Sequence, residues 1–173
     1  MKLIDVLMQT GDRFLQPISI SNRDIADNPI VYVNKAFSEL TGHYSAQVIG
    51  KNCRFLQGPN TDPAGILRIR TALAKREGIC QDMLNYTRDG KVFYNRLVLI
   101  PHVQDESLFY IGLQHELTEA QFKPVIDISQ SDIFDRTVNP LTVLAAAVTF
   151  NMPRADEMYA SAVTKIRDFV YNL

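Results

Sequence analysis

Three strand-like runs lie between residues 80 and 115, and the turn between the first two restricts the possible folds most. The runs cover residues 80–87, 92–100 and 108–115, and Arg88-Asp89-Gly90 separates the first from the second. An Asp-Gly pair between two such runs is a strong hairpin signal. The sequence therefore predicts an antiparallel pair of strands at this point.

The residues before these runs predict a short hairpin followed by several helices. Asn28-Pro29 marks a turn before the strand-like residues 30–33, and helical patterns follow in residues 34–57. Asp62 and Pro63 predict a capped helix that reaches Lys75. This order of elements predicts an α+β fold, with a five-stranded antiparallel sheet and helices on one face.

Both ends of the chain carry helical patterns. Residues 2–15 place apolar side chains at helical spacing, which predicts an amphipathic helix. Residues after Thr118 show no strand signal, and Pro124, Pro140 and Pro153 divide them into apolar helical pieces that must bury a face. The expected organisation is an N-terminal cap helix in residues 1–16, a main domain in residues 17–118 and a helical extension in residues 119–173.

Charge and composition argue against several classes of partner. The net charge is -1 and the basic residues are scattered, so no nucleic acid and no anionic membrane is expected as a partner. No leader-like segment and no membrane-length apolar run is present, which predicts a cytoplasmic protein. The two cysteines and three histidines match no zinc spacing, so no metal site is expected, and Cys80 is interpreted as structural.

The segment Gly50-Lys51-Asn52-Cys53-Arg54-Phe55-Leu56-Gln57-Gly58-Pro59 is the most informative motif. A single cysteine is more often a small buried apolar residue than a reactive group. This segment, however, closely resembles the Asn-Cys-Arg-Phe-Leu-Gln signature of the LOV (light, oxygen, voltage) domains, a branch of the PAS fold. The resemblance continues through Asn28-Pro29-Ile30, Asn85-Tyr86-Thr87 and Asn95 to Gly112-Leu113-Gln114, and covers roughly residues 17–118.

The resemblance implies a blue-light photoreceptor with FMN as its cofactor, and not an enzyme. In that family the cysteine, here Cys53, forms a thioether with the photoexcited flavin that breaks again in the dark. The resemblance assigns Arg54 and Arg70 to the FMN phosphate, and it makes Asn52 and Gln57 further pocket ligands.

The helix predicted over residues 62–75 offers an independent argument for Arg70. Arg70 follows Ile66 by four residues and precedes Leu73 by three, which predicts that it lies on the buried stripe while Arg68 points away. An inward-facing arginine needs an anion, and the planar guanidinium suits a phosphate. A snorkelling arginine at the helix edge is the alternative.

Two asparagines are predicted to face inward from neighbouring strands. Asn95 shares a strand face with Phe93 and Leu97, so its amide must find hydrogen-bond partners among apolar groups. Together with Asn85 it offers donors and acceptors for the polar edge of a flavin ring. The alternative is a cross-strand asparagine pair that satisfies itself.

Gln114 lies on the same predicted strand face as Gly112, where a flat ring can approach closely. A ring nitrogen beside Gln114 that gains a proton changes from acceptor to donor, so the amide must rotate to keep its bond. The alternative is a solvated glutamine in an outer strand. Ser19 departs from the bulky aliphatic residue that is common in the family, and its small side chain is predicted to admit water and to speed dark recovery.

A flavin oxidoreductase and a PAS module for another ligand remain as alternative classes. The chain has no G-x-G-x-x-G fingerprint, and the complete motif around Cys53 argues against a different ligand. Residues 119–173 contain no histidine and more acidic than basic residues, which argues against a fused histidine kinase or DNA reader. The sequence thus predicts a short LOV protein without a fused effector, which signals as a light-modulated homodimer through its terminal helices or through an unidentified downstream protein.

Overall fold

The computed structural model describes residues 2–124, which form an antiparallel sheet with helices between its strands. The helical pieces predicted after Pro124 lie outside the described residues. The strands are β1 (Ile18–Asn22), β2 (Ile30–Val33), β3 (Ile79–Tyr86), β4 (Val92–Gln104) and β5 (Ser107–Leu117), in the order β2-β1-β5-β4-β3. This arrangement confirms the predicted α+β fold with five antiparallel strands.

The helices are α1 (Leu3–Thr10), α2 (Lys35–Thr41), α3 (Ser45–Val48) and α4 (Pro63–Lys75), with 3₁₀ turns at Gly11–Arg13, Cys53–Leu56 and Glu119–Gln121. The Asp62 side chain accepts hydrogen bonds from the backbone N–H groups of Ala64 and Gly65, which caps α4 as predicted. Within the described residues, no helix is long and apolar enough to span a membrane.

The N-terminal helix is shorter than predicted. α1 ends at Thr10 and not near residue 15, and the side chain of Leu15 is 95% exposed. Gly11 lies against Tyr32, where a Cβ atom would overlap the tyrosine hydroxyl. The Asn34 side chain also donates a hydrogen bond to Gly11 O, at 3.0 Å. These tertiary contacts turn the chain toward β1, and helical periodicity alone does not reveal them.

Two tight hairpins join the last three strands. Gly90, with φ +83°, lies in the predicted turn between β3 and β4. The β4–β5 turn instead places Asp105 and Glu106 at φ 52° and 65°, a left-handed pair without glycine or asparagine. Because this turn lacks the usual residues, the sequence did not reveal that β4 and β5 extend beyond the predicted residues 100 and 115.

A buried ion pair stabilises the part of β3 whose apolar alternation is weak. Asp82 is fully buried and pairs across strands with Arg96, whose Nε and Nη2 lie 2.7 and 3.0 Å from its carboxylate oxygens. The backbone N–H of Lys123 donates a third hydrogen bond to Asp82, at 3.0 Å. Charge pairing thus replaces apolar burial here, and β3 pairs with β4 over its full length.

Residues 118–124, which we call the crossing segment, connect the end of the central strand β5 to the β3 edge of the sheet. Phe122 packs on Tyr94 of β4, with ring centroids 4.8 Å apart. The carbonyl oxygen of Pro124 accepts hydrogen bonds from Arg68 of α4 at 2.7 Å and from Gln81 of β3 at 2.9 Å. The segment therefore contacts β4, β3 and α4 in turn.

Candidate functional site

A cleft between the sheet, α4 and the Cys53–Leu56 turn gathers most of the predicted site residues. Its empty volume, counted together with the solvent space at its mouth, is about 750 Å³. The predicted residues that line it are Asn52, Cys53, Arg54, Gln57, Asn85, Asn95 and Gln114. Apolar walls come from Leu56, Ile69, Leu73, Leu97 and Leu99, among others. Arg70 is the one predicted ligand that does not line the cleft.

Cys53 stands at the first position of its 3₁₀ turn. Asn52 caps this turn by accepting a hydrogen bond from the backbone N–H of Arg54, at 3.0 Å. Cys53 also packs against a buried apolar cluster that includes Phe37 and Leu56, which fixes the cysteine at the wall of the cleft. Burial raises the pKa of the Cys53 thiol to about 12, so the sulfur carries its proton at neutral pH.

Arg54 and Asp27 form a two-pronged ion pair beside the cleft. The Nη1 and Nη2 atoms of Arg54 each lie 2.7 Å from a carboxylate oxygen of Asp27. This hydrogen bonding lowers the pKa of the Asp27 carboxyl. Asn52 Nδ2 donates to the backbone oxygen of Asp27 at 2.6 Å, so the amide of this predicted ligand is bonded to protein atoms at both ends.

The predicted orientations of Arg68 and Arg70 are reversed in the structure. Arg70 is exposed, whereas Arg68 is half-buried, and its Nε donates to Gln81 at 2.7 Å. The helix turns Gly65 and Ala72 toward the sheet, and a Cβ atom on Gly65 would lie 3.0 Å from Met83 Sδ. Close packing at a glycine thus rotates α4 away from the orientation that its larger apolar residues predict. The inward-facing argument for Arg70 is wrong, and its assignment to phosphate rests on the family resemblance alone.

The polar end of the cleft consists of three buried amides. Asn95 Nδ2 donates to Asn85 Oδ1 at 2.9 Å, and Asn95 Oδ1 accepts from the backbone N–H of His115 at 3.3 Å. The two asparagines therefore satisfy each other in part, as the alternative interpretation expected. Gln114 Oε1, in contrast, is buried without a hydrogen-bond partner among the described residues.

The cleft is also lined by three polar residues that were not predicted from the sequence, which are Asn28, Tyr110 and Ser21. Asn28 and Tyr110 each contribute a buried oxygen, Oδ1 and Oη respectively, that has no partner within residues 2–124. Ser21 joins Ser19 on the cleft-facing side of β1. The alternation of the two serines in β1 was the available signal. Asn28 was interpreted as a turn residue and as part of the family resemblance, but no role in the site was given to it.

The cleft suits a flat, polar-edged ring with an anionic tail. Buried polar atoms without a protein partner need a ligand or water to complete their hydrogen bonds. Leucine and isoleucine side chains provide apolar walls for the faces of a ring, and Arg54 provides a guanidinium beside the cleft. These residues therefore fit FMN. The part of the chain that the structure describes contains no cluster of three or more His, Cys, Asp or Glu side chains suited to a metal ion.

Sequence comparisons place the same region in one family. A family model described as a PAS domain matches residues 17–119, which include every residue that lines the cleft. A blue-light-activated histidine kinase of Rhizobium johnstonii is 34% identical over 158 residues, which are 88% of this chain and 46% of that protein. A blue-light-activated histidine kinase of Brucella ovis is 47% identical over 87 residues, or 50% of this chain and 18% of that protein. The chain thus spans less than half the length of these relatives.

Solved structures agree with the sequence comparisons. The LOV domain of the Erythrobacter litoralis EL346 blue-light activated histidine kinase matches with a TM-score of 0.57 and 36% identity, over 60% of this chain and 97% of that domain. The light-state structure of the Aureochrome1 LOV domain matches with a TM-score of 0.59 and 35% identity, over 69% of this chain and 91% of that one.

Proposed function

Since this chain belongs to the LOV branch of the PAS domain family, we propose that it is a blue-light receptor that binds FMN and responds to light through Cys53. The observation that carries this proposal is the position of the Cys53 thiol. This thiol is protonated and lines the same cleft as Gln114 Oε1, which is buried without a hydrogen-bond partner in residues 2–124. The names of the similar proteins, which describe blue-light receptors, support the same conclusion.

In the proposed reaction, light allows the Cys53 thiol to add to the bound flavin. Cys53 would supply the sulfur for a bond to a flavin ring carbon, and the proton released from its S–H bond would pass to the neighbouring ring nitrogen. No outside oxidant or reductant is needed, and the reverse step in the dark returns the proton to sulfur. The structure supports this route because the high pKa of Cys53 keeps the required proton on the thiol.

The absorption spectrum of the purified protein tests the proposal directly. We expect a blue flavin band in the dark, loss of that band after a blue flash and its return during dark recovery. A flavin band that never bleaches would favour the flavin oxidoreductase alternative, which NADH oxidation assays would then examine. A colourless protein that does not take up added FMN would favour a PAS module for another ligand.

Asp27 is expected to weaken binding of the FMN phosphate because it already occupies two donors of Arg54. Asp27→Asn removes the competing charge, and asparagine tolerates the left-handed backbone at this position, where φ is 68°. We predict that this variant binds FMN roughly 1.5-fold to fivefold more tightly, the size of an exposed ion pair. Fluorescence titration of the apoprotein measures the change.

Riboflavin, which lacks the phosphate, is the control ligand for this prediction. Its affinity should change little in Asp27→Asn, and Glu39→Gln is a matched carboxylate change at an exposed residue outside the cleft. Equal tightening of FMN and riboflavin would show that Asp27 does not act on the phosphate.

The output of the proposed receptor is a change in association. We propose that it forms a homodimer through α1 and the apolar residues after Pro124, and that light shifts this equilibrium or the binding of a downstream protein. A shift of this kind needs only a few kcal/mol of difference between the two states. Light scattering in darkness and under blue light tests the dimer proposal, and identical mass and shape in both would refute it.

A further inference from the structure

Ser19 is a buried hydroxyl that contacts the amide of Gln114. It is 7% exposed, lines the cleft from β1 and accepts a hydrogen bond from Gln114 Nε2 at 3.1 Å. Gly112 lies opposite Ser19 in β5, and a Cβ atom there would be 2.6 Å from Ser19 Oγ and 3.2 Å from Gln114 Nε2. The missing side chain of Gly112 therefore makes room for this pair.

The backbone of Gln114 is held on both sides by the residues just before Ser19. Its N–H donates to Pro17 O at 3.0 Å, and its carbonyl oxygen accepts from the side chain of Gln16. With the backbone fixed, the remaining freedom of Gln114 is rotation of its amide. In the present orientation Nε2 faces Ser19, while Oε1 is buried and has no partner in residues 2–124.

A hydroxyl differs from an aliphatic side chain because it both donates and accepts hydrogen bonds. When Gln114 turns Nε2 toward Ser19, the hydroxyl oxygen accepts. When it turns Oε1 toward Ser19, the hydroxyl donates. Either orientation of the amide therefore finds a partner at the end that faces Ser19.

We propose that Ser19 is a positioning residue for Gln114. The Ser19 hydroxyl satisfies the end of the Gln114 amide that faces it, in both the dark and the illuminated state. This inference rests on the proposed function, since it concerns rotation of Gln114 beside a flavin whose ring nitrogen gains or loses a proton. It differs from the water-access prediction for Ser19, because the hydroxyl and not the small size of the side chain sets the rate of recovery.

Four residues at position 19 separate these two explanations. Serine and alanine are small, threonine and valine are larger, and only serine and threonine carry a hydroxyl. The experiment measures the dark recovery rate of FMN-loaded wild type, Ser19→Ala, Ser19→Thr and Ser19→Val. Infrared difference spectra of the same proteins report the amide carbonyl of Gln114, which Gln114→Leu identifies.

We expect the rates to group by hydroxyl. Ser19→Thr should recover within about twofold of wild type, whereas Ser19→Ala and Ser19→Val should recover roughly fivefold faster, the effect of one hydrogen bond. The acceleration follows because, in the illuminated state, these two variants leave the amide N–H₂ end buried without a partner. A buried unpaired donor is tolerated less well than a buried unpaired carbonyl. The carbonyl band should shift in the same two variants.

Grouping by size, with Ser19→Thr and Ser19→Val both slower than wild type and Ser19→Ala unchanged, would overturn the inference and support water access. Unchanged carbonyl bands in Ser19→Ala and Ser19→Val would also overturn it. A wild type that binds FMN but does not bleach would refute the proposed function instead. In that case, thermal unfolding of the apoproteins still tests the hydrogen bond. Ser19→Thr should be at least as stable as Ser19→Val if the bond forms and less stable if it does not, because a buried hydroxyl without a partner costs free energy.

Discussion

Cys53→Ala is expected to bind FMN and to lose reversible bleaching completely. The substitution removes the sulfur that forms the proposed bond, while the amides at the other end of the cleft remain in place. Absorption spectra before and after a blue flash measure the result, and the dark spectrum shows whether the flavin is still bound. Reversible bleaching of Cys53→Ala with wild-type kinetics would exclude this thiol from the reaction.

Cys80→Ala is the matched control for Cys53→Ala. Cys80 lies on β3, does not line the cleft, and its thiol pKa is also raised to about 12 by burial. The two cysteines therefore share a protonated state and differ in position. We expect Cys80→Ala to bleach and recover as the wild type does.

The protonation state of Cys53 adds a second check on the same reaction. Because its pKa is about 12, the fraction of neutral thiol stays near one between about pH 6 and about pH 9. The yield of bleaching per flash should therefore be constant over this range. A yield that follows a titration near the ordinary cysteine pKa would show that the reactive species is the thiolate.

Arg96→Leu is expected to destabilise the domain by about 3–5 kcal/mol, because it leaves the buried carboxylate of Asp82 without its charged partner. The backbone N–H of Lys123 still donates to Asp82, but one neutral hydrogen bond does not replace two bonds from a guanidinium. Urea unfolding followed by circular dichroism measures the free energy of unfolding.

The double variant Asp82→Leu with Arg96→Leu is the control for this effect. Replacing both members of a buried ion pair with apolar residues is often neutral or stabilising, so we expect the double variant to recover most of the lost stability. If the double variant is as unstable as Arg96→Leu, the loss comes from packing around Arg96 and not from an unpaired charge.

Local signals in the sequence predicted much of the fold. The Asp-Gly turn, the Asp62 cap with Pro63 and the strand patterns each act over a few neighbouring residues, and the structure contains all three features. The early end of α1 and the extension of β4 and β5 were not predicted. They depend on contacts of Gly11 with a distant tyrosine and on a turn at Asp105 and Glu106 that lacks glycine.

The sequence predicted the site residues that belong to the family motifs. It did not predict the side-chain orientations and ion pairs that depend on tertiary packing. The structure gathers Cys53, Asn85, Asn95 and Gln114 in one cleft. The orientation of Arg70 was wrong because Gly65 packs closely on Met83 and rotates α4. The ion pair of Asp27 with Arg54 joins residues 27 positions apart, which no local pattern indicates.

The crossing segment determines where a second protein could be attached to this domain. The carbonyl oxygen of Pro124 accepts hydrogen bonds from Arg68 of α4 and Gln81 of β3. Strand β3 is the edge of the sheet opposite to β2. A reporter domain fused directly after Leu117 would replace these contacts and expose Asp82, whereas one fused after Pro124 would keep them. Designers of light-controlled fusion proteins should therefore place the junction after Pro124. The junction then keeps its hydrogen bonds to α4 and β3 in addition to its covalent connection to β5.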